Sequence, residues 1–502
     1  MEFEFPGRDR LESTSDVELS DLPRAYRVSR VRDQPTVPDV TAATLAAVDE
    51  VPTLDELEPG STVGITAGSR GIEDLPAVLE ALVSELQSRG LEPFVFPAMG
   101  SHGGATPEGQ RETLATLGIT PDRLGCDVES SLAVERVGSD STGRPVYAAE
   151  DALDADAVLL VNRIKRHTDF EGDVESGLCK MAVVGLGKQR GADGMHDAAI
   201  DRGFADVIPE WAGILVEETP IVGGVGIVEN AEERAAEIRG VPATDLLEVE
   251  PELLARSREL FPELPVDDLD LLVVDEMGKE ISGTGLDTNV VGRVRFQGQV
   301  ELDEPSLSRV YVRSLTPASH GNALGVGLAD LVHRDLASAV DFGDTYVNIV
   351  TSGEPSRANL PFVVPSDATA FVLSASMTGV ASAGELRIAR IENTLTPGNC
   401  GWPSRSPRNS PTGTTSASTG IDPGRSTSTA NSTWVASVMP HPGVELRHGA
   451  LEAVTDPARG ELTNRPVPHA RRCRVRCIDE RSAVRGHAPP RRRRSRADLE
   501  LG

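Results

Sequence analysis

The chain holds 502 residues but only four lysines, against 45 arginines. Lys165, Lys180 and Lys188 fall within 24 residues, and Lys279 stands alone. Arginine serves as well as lysine on a solvated surface, but it cannot lose its proton and form a covalent bond, whereas lysine can once burial lowers its pKa. We therefore predict covalent or acid–base work for Lys180 in ESGLCKM. Chance retention, or a site too tight for a guanidinium, is the alternative.

Three loops follow predicted strands and carry polar side chains. They hold Arg70 in AGSRGI, His102 in GSHGGAT and His167 in KRHTDF. In open α/β sheets ligands bind at the carboxyl ends of strands, so these three residues are expected at one site. For any one histidine, a structural role with its hydrogen bonds made inside the fold is commoner than a role at a functional site. Gly103 and Gly104 favour function, since glycine lets backbone approach a ligand closely.

These strings, together with GMH further on, resemble the nickel-pincer lactate racemase family. In that family a lysine carries a pyridinium mononucleotide through a thioamide, and two sulfurs and a carbon of the cofactor bind nickel. The resemblance implies that Lys180 holds the cofactor and that His196, sixteen residues later, is the remaining nickel ligand. It also implies that His102 and His167 are the acid–base pair and that Arg70 lies near anionic groups of the cofactor site.

The segment GLDTNVVGRVR resembles the part of the second domain that reaches the family's site. Asp287 and Asn289 match its D-x-N pattern, and the substrate-binding cation would be Arg295. The resemblance implies an isomerase that racemises or epimerises a 2-hydroxy acid by moving the C2 hydride to the pyridinium and back. The implied partners are a small-molecule 2-hydroxy acid and the proteins that make the cofactor.

Three positions depart from the family pattern. Ala67 stands where the family has an aspartate, and Gly292 stands where it has a glutamine. The stretch from His167 to Lys180 is longer than in the characterised racemases of the family. The cofactor residues are matched while the substrate residues are altered. The resemblance therefore favours the cofactor more than it favours lactate as the substrate.

Two other functions remain open. A zinc hydrolase could use His102, His167 and His196 as ligands, although nothing in their spacing is a zinc signature. A non-catalytic homologue with a degenerate site is the other. The segment GLGKQRG is not a phosphate-binding P-loop, because Gln189 follows its lysine where that motif has Ser or Thr.

Apolar runs alternate with helical patterns along the chain. STVGIT, EPFVFPAMG and DAVLLVNRI predict buried strands, and apolar spacing predicts helices over 74–89 and 107–117. The continuous run DLDLLVVDE opens a second unit, in which 320–341 is expected to be helical after a glycine-rich start. The pattern predicts two α/β domains with parallel sheets, 1–265 and 266–395, and an active site in the cleft between them.

The formal charge of −29 is unevenly spread. Residues 1–395 carry 69 acidic and 32 basic residues, a net of −37, and residues 396–502 carry 9 and 17, a net of +8. The acidic, lysine-poor body is typical of salt-loving organisms, since in brine the Debye length falls to roughly 3 Å and surface carboxylates repel one another less. A body so negative is a poor partner for nucleic acid.

The tail from residue 396 is basic and low in complexity, with SPRNSPTGTTSASTG and RRRRSR. It is either a disordered extension or the product of a frameshift, and the abrupt break in charge and patterning favours the frameshift. The start of the chain lacks a signal-peptide pattern, and no apolar run is long enough to span a bilayer. Only Cys126 and Cys179 lie in the body. We therefore expect a cytoplasmic protein without a disulfide framework.

Overall fold

The computed structural model describes residues 5–23, 28–31, 34–69, 71–397, 399–400 and 450–453. Within these ranges the chain is an α/β protein with two large sheets, and parallel strand pairs make up most of each. The predicted fold class is therefore confirmed. Arg70 and most of the predicted tail lie outside the described residues.

The first part of the chain supplies the smaller of the two large sheets. Its helices are α1 (Arg8–Glu12), α2 (Val40–Asp49), α3 (Leu75–Ser88), α4 (Pro107–Thr116), α5 (Pro121–Leu124), α6 (Glu150–Leu153), α7 (Leu178–Lys180), α8 (Lys188–Arg202), α9 (Phe204–Glu218) and α10 (Leu246–Leu260). Its strands are β1 (Val28–Val31), β2 (Thr62–Ala67), β3 (Glu92–Pro97), β4 (Val134–Ser139), β5 (Pro145–Ala149), β6 (Ala157–Arg163), β7 (Ile221–Glu229) and β8 (Ala235–Pro242). A π-helical turn, Met181–Leu186, joins α7 to α8.

The rest of the described chain supplies most of the second large sheet. Its helices are α11 (Thr288–Val291), α12 (Arg334–Ala339), α13 (Phe342–Ser352) and α14 (Asp367–Met377). Its strands are β9 (Asp268–Leu269), β10 (Leu271–Met277), β11 (Ser306–Leu307), β12 (Val310–Leu315), β13 (Leu331–His333), β14 (Phe362–Val364), β15 (Ile388–Ile391), β16 (Asn399–Cys400) and β17 (Ala450–Ala453).

The first sheet has the order β3-β2-β6-β7-β8 and is parallel except for the β7–β8 pair. Its central strand β6 is apolar on both faces. Val158 and Leu160 belong to one buried cluster, and Leu159 and Val161 belong to another. Strands covered by helices on both faces lack polar alternation, which is why DAVLLV reads as one continuous apolar run.

The second sheet has the order β14-β13-β12-β10-β15-β16-β1-β17. Its first five strands are parallel, and β16, β1 and β17 pair antiparallel. In β10, Leu272 and Val274 pack into one cluster while Leu271 and Val273 pack into another. This strand is therefore buried on both faces. The division into domains at residue 266 stays a prediction.

Two predicted helices are confirmed as α3 and α4, but the helix expected over 320–341 is wrong. That stretch contains β13 and the short helix α12 instead. Leu331 and Val332 are fully buried and pair with β12 on one side and β14 on the other. Tertiary pairing has overridden the local preference. No helix within the described ranges is both long and apolar enough to cross a membrane.

Lys188 is fully buried at the start of α8, where its backbone φ is 50°. Its Nζ donates a hydrogen bond to the carbonyl oxygen of Pro97 at 2.6 Å and lies 3.4 Å from a carboxylate oxygen of Asp151. Burial lowers the pKa of Lys188, and the negative charge of Asp151 opposes that shift. Packing explains why this lysine is retained without a role at a site.

We predict that Lys188→Met lowers the free energy of unfolding by about 3 kcal/mol, because removing one member of a buried pair leaves its partner uncompensated. Urea titration measures the change. The control is Arg111→Met, since Arg111 is 51% exposed and its pairing with Glu108 spans 3.5 Å. That variant should change the free energy by less than about 1 kcal/mol. Equal losses in the two variants would contradict the structural role of Lys188.

Candidate active site

A cavity of about 820 Å³ lies at the carboxyl ends of β2, β3 and β6 and extends to the loops of the second sheet. The predicted residues His102, His167, Lys180 and His196 all line it. Arg295 is not among the lining residues. The described lining side chains that carry or can carry positive charge are His102, Arg163, Lys165, Arg166, His167, Lys180, His196, Lys279 and Arg357.

Lys180 and His167 meet inside the cavity. The Nζ atom of Lys180 contacts Nε2 of His167, thirteen positions earlier in the chain. The intervening loop folds back because Lys165 and Ser176 exchange backbone hydrogen bonds of 2.8 and 3.2 Å. Inside the loop, the carboxylate of Glu175 accepts the backbone N–H of His167 at 2.5 Å. Hydrogen bonds within the loop thus bring His167 and Lys180 together despite the thirteen positions that separate them.

The imidazole of His167 is held in an apolar setting. Its side chain is 12% exposed, and its ring centroid lies 4.6 Å from that of Phe170. Burial, followed by the nearby positive charge of Lys180, holds the pKa of His167 well below its usual range, while Asp169 opposes the shift. His167 is therefore neutral at pH 7 and able to accept a proton.

Asp169 is tied to the second sheet's loops through Arg357. One guanidinium nitrogen of Arg357 donates to the Asp169 carboxylate at 2.6 Å, and another donates to the carbonyl oxygens of Val294 at 2.7 Å and Thr168 at 3.4 Å. The Arg357 side chain is 1% exposed. Burial favours the neutral form of Asp169, but the attraction of His167 in its protonated form and of the Arg357 guanidinium outweighs it and lowers the pKa of Asp169 to about 2.

His196 reaches the same cavity from α8. Its ring meets the edge of Phe204 at a centroid distance of 5.9 Å, and the ring of His167 lies 6.3 Å from Phe204. Burial, and then Lys180, lower the pKa of His196. Lys180 and His196 lie on successive helical segments, α7, the π-helical turn and α8, with a break at Lys188, where φ is 50°. Such turns often occur at functional sites.

His102 stands at the mouth of the cavity and is exposed. Its Nδ1 atom lies 2.7 Å from the hydroxyl oxygen of Ser69. A Cβ atom on Gly103 would come within 2.6 Å of the backbone of Gly109 and Gln110. Packing against α4 therefore explains this glycine, which the sequence had suggested was kept for a ligand.

The segment that carries the D-x-N pattern docks onto the His167 loop. Asp287 caps α11 by accepting the backbone N–H of Asn289 at 2.9 Å. The Asn289 amide donates to the carbonyl oxygen of His167 at 3.0 Å, and the Thr288 hydroxyl donates to that of Thr168 at 2.7 Å. The segment predicted to come from the second domain thus binds the backbone of the His167 loop through two side-chain hydrogen bonds.

Arg295 does not line the cavity. Its guanidinium contacts the carbonyl oxygen of Gly327 and lies 3.8 Å from Asp330. Its role in binding the substrate stays a prediction. Two other cations from the part of the chain after residue 266 do line the cavity, namely Lys279 and Arg357.

Sequence reasoning missed Arg357, because GEPSRAN matches no motif and its partner Asp169 is 188 positions away.

Glu250 is a second residue that the sequence did not reveal. Its side chain lies under α7, and one carboxylate oxygen accepts the backbone N–H of Cys179 at 2.8 Å. The other oxygen, Oε1, is buried and has no hydrogen-bond partner among the described residues. A Cβ atom on Gly177 would lie 2.0 Å from it. Burial raises the pKa of Glu250 to about 7.

The three histidines do not form a zinc site. Within the described chain no group of three or more His, Cys, Asp or Glu side chains is placed to hold a metal ion. His102 pairs with Ser69, whereas His167 and His196 flank Phe204. This arrangement counts against the hydrolase with three histidine ligands.

No family model matches the chain, and no curated protein matches it. Among solved structures, it is similar to the lactate racemase apoprotein from Thermoanaerobacterium thermosaccharolyticum. The identity is 12%, the TM-score is 0.44, and the match covers 74% of this chain and 99% of that one. A likeness of this degree does not identify an activity.

We predict that Glu250→Gln becomes more stable relative to the natural chain as the pH rises from 5 to 8. Because the pKa of Glu250 rises from 4.5 to about 7 on folding, ionisation above pH 4.5 costs the folded state up to about 3 kcal/mol by pH 8. The glutamine removes this cost. Urea titrations at both pH values measure it, and a constant difference between the two proteins would show that Glu250 is not buried as a proton-binding group.

Proposed function

We propose that the chain is a nickel-pincer nucleotide-dependent racemase or epimerase of a 2-hydroxy acid. The observation that carries this proposal is the amine of Lys180 lying against His167 in a cavity that His102 and His196 also line. These are the four residues that the motif resemblance names for the tether, the acid–base pair and the nickel ligand.

The donor set of this chain fits such a cofactor. The pincer brings two sulfurs and a carbon to the nickel, so the protein needs to supply only one further donor. His196 lines the same cavity as Lys180 and would be that donor. An imidazole nitrogen is a donor that nickel accepts. Lys180 would hold the organic part and His196 the metal.

When bound, such a cofactor would supply the chemistry of reversible hydride transfer at C2 of the substrate. The chain's own residues manage the hydroxyl proton. His167 is neutral, and with its ring proton on Nδ1 it can accept the hydroxyl proton at Nε2, the nitrogen that faces Lys180. His102 approaches from a different loop and can serve the other stereoisomer. Phe204, Phe296 and Met181 give part of the cavity wall an apolar surface.

The two proposed bases sit in unlike surroundings. His102 is exposed and bonded to Ser69, whereas His167 is buried beside Asp169. The substrate carboxylate is assigned to Arg295 through the resemblance, which requires the guanidinium to exchange the carbonyl of Gly327 for the substrate. A guanidinium can bind a carboxylate in bidentate form.

We predict that Lys180→Ala abolishes cofactor attachment when the chain is produced together with cofactor-making proteins. Intact-protein mass spectrometry should show the adduct on the natural chain and on Lys279→Arg, a cavity lysine that serves as the control, but none on Lys180→Ala. His196→Ala should keep the adduct and lose nickel, measured by elemental analysis. An adduct on Lys180→Ala, or full nickel in His196→Ala, would refute these assignments.

We predict that His102→Gln and His167→Gln each lower the rate of racemisation at least about 100-fold, the scale of a lost general base. Chiral chromatography of a panel of 2-hydroxy acids measures the rate. A deuterium at C2 should be retained in the product, since the hydride returns to the same carbon. The control is His333→Gln, which lies outside the cavity lining. Exchange of the C2 deuterium with solvent would rule out hydride transfer.

A further inference from the structure

The two ring nitrogens of His167 have different neighbours. Nε2 faces Lys180. Nδ1 faces Asp169 twice, because the backbone N–H of Asp169 donates to it at 3.0 Å and a carboxylate oxygen of the same residue lies 3.8 Å away. A single residue thus offers Nδ1 both a donor and a potential acceptor.

These two groups favour opposite tautomers. The Lys180 amine in contact with Nε2 is compatible with either tautomer, since an ammonium donates to Nε2 and a neutral amine can accept from it. A ring nitrogen that accepts an N–H carries no proton, so the backbone bond from Asp169 favours the proton of neutral His167 on Nε2. In that tautomer Nε2 cannot accept a proton. For His167 to act as a base at Nε2, the proton must sit on Nδ1, and Nδ1–H then needs an acceptor. The Asp169 carboxylate is the nearest acidic group to Nδ1, and a small movement from its distance of 3.8 Å would make it that acceptor.

Arg357 restricts the movement of the Asp169 carboxylate toward Nδ1 of His167. It holds the other carboxylate oxygen at 2.6 Å, which is a closer contact than the 3.8 Å to Nδ1. The guanidinium is itself fixed, since it donates to the carbonyl oxygen of Val294 and its centre lies 5.3 Å from the ring of Phe296. A fixed cation therefore competes with His167 for Asp169.

We propose that Asp169 and Arg357 are positioning residues that select which ring nitrogen of His167 carries the proton. The Asp169 carboxylate accepts Nδ1–H and frees the lone pair of Nε2. A substrate O–H can then pass its proton to Nε2, which leaves an imidazolium beside the carboxylate. Arg357 limits this by drawing the carboxylate toward itself. No oxidant or reductant is needed, and the inference concerns His167 in any reaction, so it does not rest on the proposed function.

The same arrangement predicts that removing the charge of Arg357 and removing the charge of Asp169 change the protonation of His167 in opposite directions. Removing the positive charge of Arg357 releases the carboxylate to Nδ1 and makes an imidazolium easier to form. Removing the negative charge of Asp169 does the reverse. The other charged or titratable groups near the ring are Lys180, Lys165 and His196, and both substitutions leave these unchanged. A purely structural role would disturb His167 alike in the two variants.

Nuclear magnetic resonance of the full chain, labelled with ¹⁵N in its histidine rings, tests the proposal without substrate or cofactor. His167→Gln assigns the His167 signals among the nine histidines. In Arg357→Gln the midpoint of the His167 titration should move to higher pH, and the neutral ring should shift toward the Nδ1–H form. In Asp169→Asn the midpoint should move to lower pH, and the neutral ring should stay in the Nε2–H form.

The matched control is Arg313→Gln, which breaks another arginine–aspartate contact, between Arg313 and Asp367, outside the cavity lining. It should leave the His167 signals in place. Movement of the midpoint in the same direction in both test variants, or no movement in either, would overturn the proposal. If Arg357→Gln fails to fold, Asp169→Asn alone remains decisive, because a midpoint that stays or rises in this near-isosteric variant contradicts the role of the carboxylate.

Discussion

The buried ion pair between Arg357 and Asp169 joins the two parts of the chain that form the cavity. Desolvating two charges is expensive, and their mutual attraction offsets that cost only where further hydrogen bonds satisfy the remaining polar atoms. Here Arg357 also reaches the carbonyl oxygens of Thr168 and Val294. The pair therefore contributes less to overall stability than to a fixed geometry, which places the His167 loop against the loops of the second sheet.

Buried carboxylates recur beside the candidate functional side chains. Glu175 accepts the backbone N–H of His167, and Glu250 accepts that of Cys179, which directly precedes Lys180 in the chain. A carboxylate that accepts backbone N–H groups fixes the main chain without occupying the side chain it supports. The negative charge that dominates this chain is thus used inside the fold as well as on its surface.

Local patterns predicted the parts of the fold that depend on neighbouring residues. The apolar run of β6 and the helical spacing of α3 are examples, and the clustering of lysines drew attention to Lys180, which lines the cavity. Other features depend on contacts between distant residues. β13 exists because two strands flank it, Arg357 and Asp169 are 188 positions apart, and Glu250 meets Cys179 across 71. Lys188 came from the same lysine cluster but is explained by packing, which spacing cannot distinguish from chemistry.

Lys180 and His196 are joined by the π-helical turn and the first turns of α8, so their relative position depends on the number of residues between them. One residue of an α-helix covers about 100° of rotation, so a single insertion or deletion within α8 before His196 would turn the imidazole away from the cavity. In the loop before Lys180, backbone hydrogen bonds between Lys165 and Ser176 hold the ends together, and Asp169 and Glu175 contact His167. A change in chain length should therefore be tolerated better between Asp169 and Glu175 than within the first turns of α8.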